Sequence, residues 1–191
     1  MSNIKNILLV GVGGQGTILA SKILCEGLLR QGYDVKMSEV HGMAQRGGSV
    51  VTQIRFGEKI YSPLIEKGKA DVIVAFEKSE ALRYLSHLSQ DGYIIVNDCE
   101  IYPITVSIGG EKYPENINEN LLSQVPNTII INAAKIAEEL GNIRVQNVVL
   151  LGALIKILKL NNISWEQIIE TAVAVKVVEI NKKAFKAGIN I

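Results

Sequence analysis

Two glycine-punctuated runs carry the residues that could do chemistry. The first, GVGGQG, places Gly11, Gly13, Gly14 and Gly16 around Gln15, directly after an apolar run. Loops of this kind bring backbone amides close to an anion, and the free N–H groups of the following helical turn face it. In that reading Gly11 permits a tight turn, Gly13 lets the anion approach the backbone, and Gly16 lets the helix lie close to the strand. The second run, HGMAQRGGS, sets His41, Gln45 and Arg46 among flexible backbone, with Gly47, Gly48 and Ser49 closing it. It offers a switchable imidazole, a carboxamide and a permanent cation, which suits an anionic ligand or a docked partner. Each run also has a plainer reading. A glycine loop can serve only to turn a buried strand into a helix, and Arg46 can pair with Glu39 on a surface loop.

The elements around these runs say where they stand. Residues 4–10 form a short apolar run of the kind that makes a fully buried strand. After the glycines, Ala20, Ile23, Leu24, Gly27 and Leu28 recur at helical spacing and give one face to pack on a sheet. Residues 33–40 read as the second strand. Glu39 lies about twenty residues beyond the last loop glycine, where a dinucleotide fold places its ribose-binding acid. On these features alone NAD is the default ligand. The stretch 41–49 then breaks the pattern, because no crossover helix follows. Residues 49–56 are rich in β-branched types, Gly57-Glu58 suits a type II′ turn, and 59–62 would be the returning arm of a hairpin.

The parallel pattern resumes with a buried strand at 70–76, a helix at 77–88 and a strand at 92–97. Region 101–126 holds three of the four prolines and suggests a short strand at 104–108 and a helical turn at 118–123. A strand at 127–131 leads to Asn132, a cap for a helix at 133–140 that Gly141 ends. Residues 148–160 are apolar nearly all round and should be buried. Ser164 to Gln167 reads as a capping box, with Trp165, Ile168, Ile169 and Ala172 as the buried face of one long helix ending near Gly188. The fold class expected is α/β: a Rossmann-like three-layer domain, with a mostly parallel sheet, a β-hairpin insertion after strand two and C-terminal helices. Residues 1–191 read as a single domain.

The chain has 191 residues, about half of them apolar and a fifth charged, with a net charge of +1. That balance gives no electrostatic case for nucleic acid or an acidic membrane. The apolar runs are too short to span a bilayer and there is no signal-peptide pattern, so a cytoplasmic location is expected. Cys25 and Cys99 are the two cysteines. They lack CxxC spacing, a 4Fe–4S cluster wants four thiolates, and the expectation is two structural thiols in a reducing compartment. No nucleophile–base or His–carboxylate pair is evident from spacing, so no catalytic residue is assigned.

Beyond these physical readings, GVGGQGTILASKIL, SEVHGMAQRGGSVVTQIRFG and YSPLI together resemble the gamma subunit or domain of 2-oxoacid:ferredoxin oxidoreductases. Among these the chain is most similar to the small (beta) subunit of indolepyruvate:ferredoxin oxidoreductase. The resemblance extends through ADVIVAFEKSEALRYL and NVVLLGAL to the closing NKKAF, and the SEVHGMAQRGGSV block is its most specific part. It implies a pyruvate/ketoisovalerate oxidoreductase gamma-type domain, inactive alone. The complex would oxidatively decarboxylate a 2-oxoacid, here an arylpyruvate such as indolepyruvate, to an acyl-CoA with reduction of ferredoxin. It also implies thiamine diphosphate with Mg and 4Fe–4S clusters on a large partner subunit, two copies of each chain, and CoA as a candidate ligand here. The apolar C-terminal helices make a homodimer an expectation for the isolated chain. The candidate binding residues are Gly11, Gly13, Gly14, Gln15, Gly16, Glu39, His41, Gln45, Arg46, Gly47, Gly48 and Ser49. Two other readings stay open: a stand-alone NAD- or FAD-binding oxidoreductase, and a non-catalytic binding module.

Overall fold

The computed structural model describes residues 4–42 and 47–191. The apolar run at the start becomes β1 (Lys5–Val12), which the glycine loop joins to α1 (Thr17–Arg30). Then come β2 (Asp34–His41), β3 (Ser49–Gly57), β4 (Ala70–Ala75), α2 (Lys78–Tyr84) and β5 (Leu88–Asn97). The second half adds α3 (Ile104–Ser107), α4 (Ile117–Gln124), β6 (Thr128–Ile131), α5 (Ala133–Glu139), α6 (Gln146–Leu158), α7 (Trp165–Ala172) and α8 (Val178–Ile189).

Six strands form one sheet in the order β2-β3-β1-β4-β5-β6. β1, β4, β5 and β6 run parallel, and β3 lies antiparallel to both β1 and β2. Strand alternation sends Ile7, Leu9, Ile54, Val72, Val74 and Ile95 to one face, under α1, α6, α7 and α8. Leu8, Val10, Val51, Ile73, Ile94 and Val96 go to the other face, under α2 and α4. The result is the three-layer α/β architecture expected. α6 is buried continuously from Asn147 to Ile155, in keeping with a helix apolar nearly all round.

Five local expectations are corrected. Among the described residues the 59–62 segment pairs with no strand; the arm antiparallel to β3 is β2 itself, from Asp34↔Gly57 to His41↔Val50. The 59–62 backbone is held down by side chains instead: Asp34 accepts from the Ile60 amide and Arg55 donates to the Ser62 and Leu64 carbonyls. The expected strand at 104–108 is the short helix α3. Pro103 starts it, with its carbonyl accepting from the Val106 and Ser107 amides. The long helix to Gly188 is two helices, broken after Ala172 where Val173, Val175, Val177 and Val178 crowd a short stretch. Ser164 does precede α7, but its side chain makes no cap bond and its carbonyl takes the Gln167 amide. The helix expected over 77–88 also ends early, with Leu88 already in β5.

Candidate functional site

The register places both glycine runs at one edge of the sheet. Val12 at the end of β1 faces Ser49 at the start of β3, and His41 at the end of β2 faces Val50. The Gly13 amide donates to the Gly48 carbonyl at 2.9 Å, so the two loops are joined directly. Open α/β sheets take their ligands at this carboxyl edge.

The individual glycines do different work from that expected. Gly11 lies within β1, and a Cβ on it would meet Gln15 Oε1 and Phe76 Cβ, both at 2.9 Å. Its role is close packing under the Gln15 side chain rather than a turn. The Gly13 amide is occupied by Gly48. Gly14 (φ +102°) and Gly16 (φ +81°) take the left-handed conformations that make the turn. Gly16 does permit close approach, but to α6 rather than β1: a Cβ there would lie 2.5 Å from Asn147 Nδ2. Among the described residues, the amides of Gly14, Gly16 and Thr17 meet no backbone acceptor, the arrangement that leaves a helix start open to an anion.

Glu39 stands on β2 opposite Thr52, and Thr52 in turn stands opposite Leu9. β3 therefore separates Glu39 from the β1 loop by two inter-strand steps, roughly 10 Å. A dinucleotide fold puts its acid one step away, next to the glycine loop. Glu39 is instead engaged by His41, whose Nε2 meets Glu39 Oε1. Gln45 and Arg46 lie outside the described residues. Gly47 (φ +79°) and Gly48 lead into Ser49, whose hydroxyl donates to the buried Glu80 of α2. Arg83 Nε donates to the other oxygen of Glu80 at 2.8 Å, so the second loop is tied to α2 by a compensated buried carboxylate.

Several polar residues that sequence patterning did not single out complete this edge. Glu77, fully buried, follows β4 and caps α2. It accepts from the Glu80 amide, the Ser79 hydroxyl, the Ile101 amide and the Tyr113 hydroxyl. Tyr113 is pushed well above its ordinary range, first by burial and then by this contact. Asn97, fully buried at the end of β5, donates to the Phe76 carbonyl and accepts from the Ala133 amide. Glu77 lies two residues past β4 and Asn97 ends β5, each directly after an apolar run, and that position was the available signal. Lys78 sits between Asp98 at 2.8 Å and Glu100 at 3.0 Å. Burial pushes the Cys25 thiol up to about 11 and raises Cys99 as well, so both stay protonated near neutrality.

Residues 6–191 match the family described as pyruvate ferredoxin/flavodoxin oxidoreductase. The chain is 44% identical over 155 residues to the indolepyruvate oxidoreductase subunit IorB of Thermococcus kodakarensis, covering 78% of this chain and 75% of that one. It shares its fold with the gamma subunit of a keto/oxoacid ferredoxin oxidoreductase from Geobacter sulfurreducens, with TM-score 0.71, 24% identity, and coverage of 97% and 96%. It also superposes on part of the 2-oxoglutarate:ferredoxin oxidoreductase of Magnetococcus marinus, solved with 2-oxoglutarate, coenzyme A and succinyl-CoA. There the TM-score is 0.74 at 23% identity, covering 98% of this chain and 30% of that one. Among the described residues no helix is long and apolar enough to cross a membrane.

Proposed function

The chain belongs to the pyruvate ferredoxin/flavodoxin oxidoreductase family, as an accessory subunit of a 2-oxoacid:ferredoxin oxidoreductase, and on that premise we propose what its joined loops do. The 2-oxoacid is indolepyruvate or a related arylpyruvate, a reading supported by the relatives' names. The reaction turns 2-oxoacid, CoA and two oxidised ferredoxins into acyl-CoA, carbon dioxide, a proton and two reduced ferredoxins. Thiamine diphosphate supplies the electron sink for the decarboxylation.

The residues of this chain do not fit the redox centre or the thiamine. Two protonated, partly buried thiols cannot ligate a four-thiolate cluster. The nearest string to a Gly-Asp-Gly diphosphate motif, Gln90-Asp91-Gly92, lies in the first half of β5, toward the opposite sheet edge. A Cβ at Gly92 there would press on Leu88 and on the Ala70 carbonyl. Both groups therefore belong to a large partner subunit. The carboxyl edge does fit an anion. Its Gly14, Gly16 and Thr17 amides, with Arg46 on the adjoining loop, suit the phosphates of CoA or the face that meets the partner near its active site. The observation that carries this reading is the Gly13–Gly48 bond, which makes one surface of two anion-friendly loops.

The test is to recover the chain from its native host by gentle anaerobic purification. A brown complex with a much larger subunit, reducing ferredoxin with indolepyruvate and CoA, is the expected result. A colourless chain that repeatedly comes alone overturns the proposal. A stand-alone nicotinamide enzyme finds less support, since Glu39 is two strands from the loop it would have to serve.

A further inference from the structure

The crevice where strand order reverses, between β1 and β4, is where this class of sheet opens to receive a ligand. Here it is bridged. Gln15 Oε1 accepts from the Val12 amide at 2.8 Å and Gln15 Nε2 donates to the Phe76 carbonyl at 2.7 Å. One carboxamide thus ties the end of β1 to the residue after β4, in the space left by the missing Cβ of Gly11. The same Phe76 carbonyl accepts from Asn97 Nδ2 at 3.2 Å, and Asn97 also donates to Gln146 Oε1 at 3.2 Å. Beside them Asn147 Nδ2 donates to the Gly16 carbonyl at 3.1 Å. Gln15 therefore holds the glycine loop from within and Asn147 holds it from α6, while Asn97, backed by Gln146, shares the Phe76 carbonyl that Gln15 uses.

We propose that Gln15 is a positioning residue. It holds the glycine loop in the shape that presents the Gly14, Gly16 and Thr17 amides to an acidic ligand, while its own side chain is directed to Val12 and Phe76. The inference rests on the reading of this edge as the site for the CoA phosphates. Both polar atoms of Gln15 already have partners, and both partners are backbone. The carboxamide is needed as such, because the bridge requires an acceptor on one side and a donor on the other. A carboxylate can accept from Val12 but has no proton for Phe76, whereas a neutral carboxylic acid has one. Gln15→Glu is therefore a chemical switch on the bridge.

The experiment uses the assembled oxidoreductase carrying Gln15→Glu, Gln15→Met or Ile18→Glu in this subunit. Initial rates are measured against CoA across a pH series. The expected result for Gln15→Glu is an apparent KM for CoA raised about tenfold where the acid is ionised, with kcat within twofold of the parent and KM recovering as the pH falls. Gln15→Met, which fills the space without bonds, should raise KM at every pH. A KM unchanged in both variants overturns the positioning role, and so does a rise in Gln15→Glu that ignores pH. Ile18→Glu separates this from failure of the functional reading. Ile18 is exposed in the first turn of α1, and a carboxylate there repels a bound phosphate without touching the bridge. If Ile18→Glu also leaves KM unchanged, the edge does not bind CoA and both statements fall. If Ile18→Glu raises KM while the Gln15 variants do not, only the role of Gln15 falls.

Discussion

The indole of Trp165 stands where a side chain on Gly27 would have to go: a Cβ built on Gly27 would lie 2.2 Å from Cζ3 and 2.4 Å from Cη2. The ring cannot simply move aside, because its Nε1 donates to the Leu160 carbonyl at 2.8 Å. This contact seats α7 on α1, the helix that begins at the glycine loop.

Gly27→Ala should therefore destabilise the chain. Helix propensity favours alanine by about 1 kcal/mol, but overpacking against a pinned indole costs about 1–3 kcal/mol or more. Packing is expected to win by about 1–2 kcal/mol. Urea unfolding followed by Trp165 fluorescence measures it; a midpoint equal to or above the parent's would mean the indole relocates freely.

Gly188→Ala should cost more. α6 and α8 cross with Gly152 and Gly188 in contact, and a Cβ on Gly188 would lie 2.0 Å from the Val149 carbonyl oxygen. That neighbour is backbone, so the helices themselves must part. A loss of about 3 kcal/mol or more is expected, read as a thermal midpoint lowered by many degrees.

The Lys78–Asp98 pair predicts a pH dependence. Lys78, followed by Asn118, holds Asp98 below its ordinary value of 3.8, and Asp98 raises Lys78 above 10.5. A lowered acid contributes its stability above the unfolded value and loses it as pH falls through the folded one. A raised amine contributes below the unfolded value and loses it as pH climbs through the folded one. The pair should thus support the fold from about pH 4 to about pH 10. In Asp98→Asn the decline of the urea midpoint between pH 5 and pH 3 should be shallower, to about the extent set by one carboxylate. An unchanged acid limb would show that the pair contributes nothing.

Tyr113→Phe removes one of four donors to the buried Glu77, leaving the carboxylate with Ser79, Glu80 and Ile101. The expected cost is about 1–2 kcal/mol by urea unfolding. Glu77→Ala, which strands the donors themselves, should cost clearly more than Tyr113→Phe. Equal costs would mean that the Tyr113 contact carries the whole effect.

Arg46→Ala addresses the proposed ligand edge. In the assembled enzyme it should weaken the apparent CoA affinity by about tenfold, as expected for loss of a charge-assisted contact to phosphate. If CoA affinity, activity and assembly all stay as in the parent, the loops do not form the proposed surface.

What the sequence makes legible is what periodicity encodes. The face of α1 through Ala20, Ile23, Leu24 and Leu28 follows from spacing, and the strand before the glycines and the burial of α6 follow from unbroken apolar runs. Whether β3 pairs with β2 does not, because both candidate partners are neighbours in sequence and 49–57 is equally β-branched whether it meets β2 or a segment at 59–62. The break after Ala172 is not what spacing predicts, which carries one helix through to Gly188; the crowded Val173, Val175, Val177 and Val178 were the only local signal against it. The glycine motif pointed to the right edge, yet the assignment of each glycine depended on neighbours distant in sequence: Phe76 for Gly11, Gly48 for Gly13 and Asn147 for Gly16. Gln15 reads as a ligand contact in one dimension and as a bridge in three.

β3 occupies the place beside β1 that an unbroken βαβ unit would give to β2, and this bears on how the chain assembles. The β2–β3 hairpin is local and can close early, in microseconds, while β1 cannot meet it until residues from Val12 and Ser49 to Lys5 and Phe56, about forty to fifty apart, have come together. Closing that larger loop is the slower event. Gly13 can reach Gly48 only once β3 has seated against β1. The anion-facing edge is therefore a late product of folding, and a chain halted before that step would carry a formed hairpin and a formed α1 but no joined surface to offer a partner.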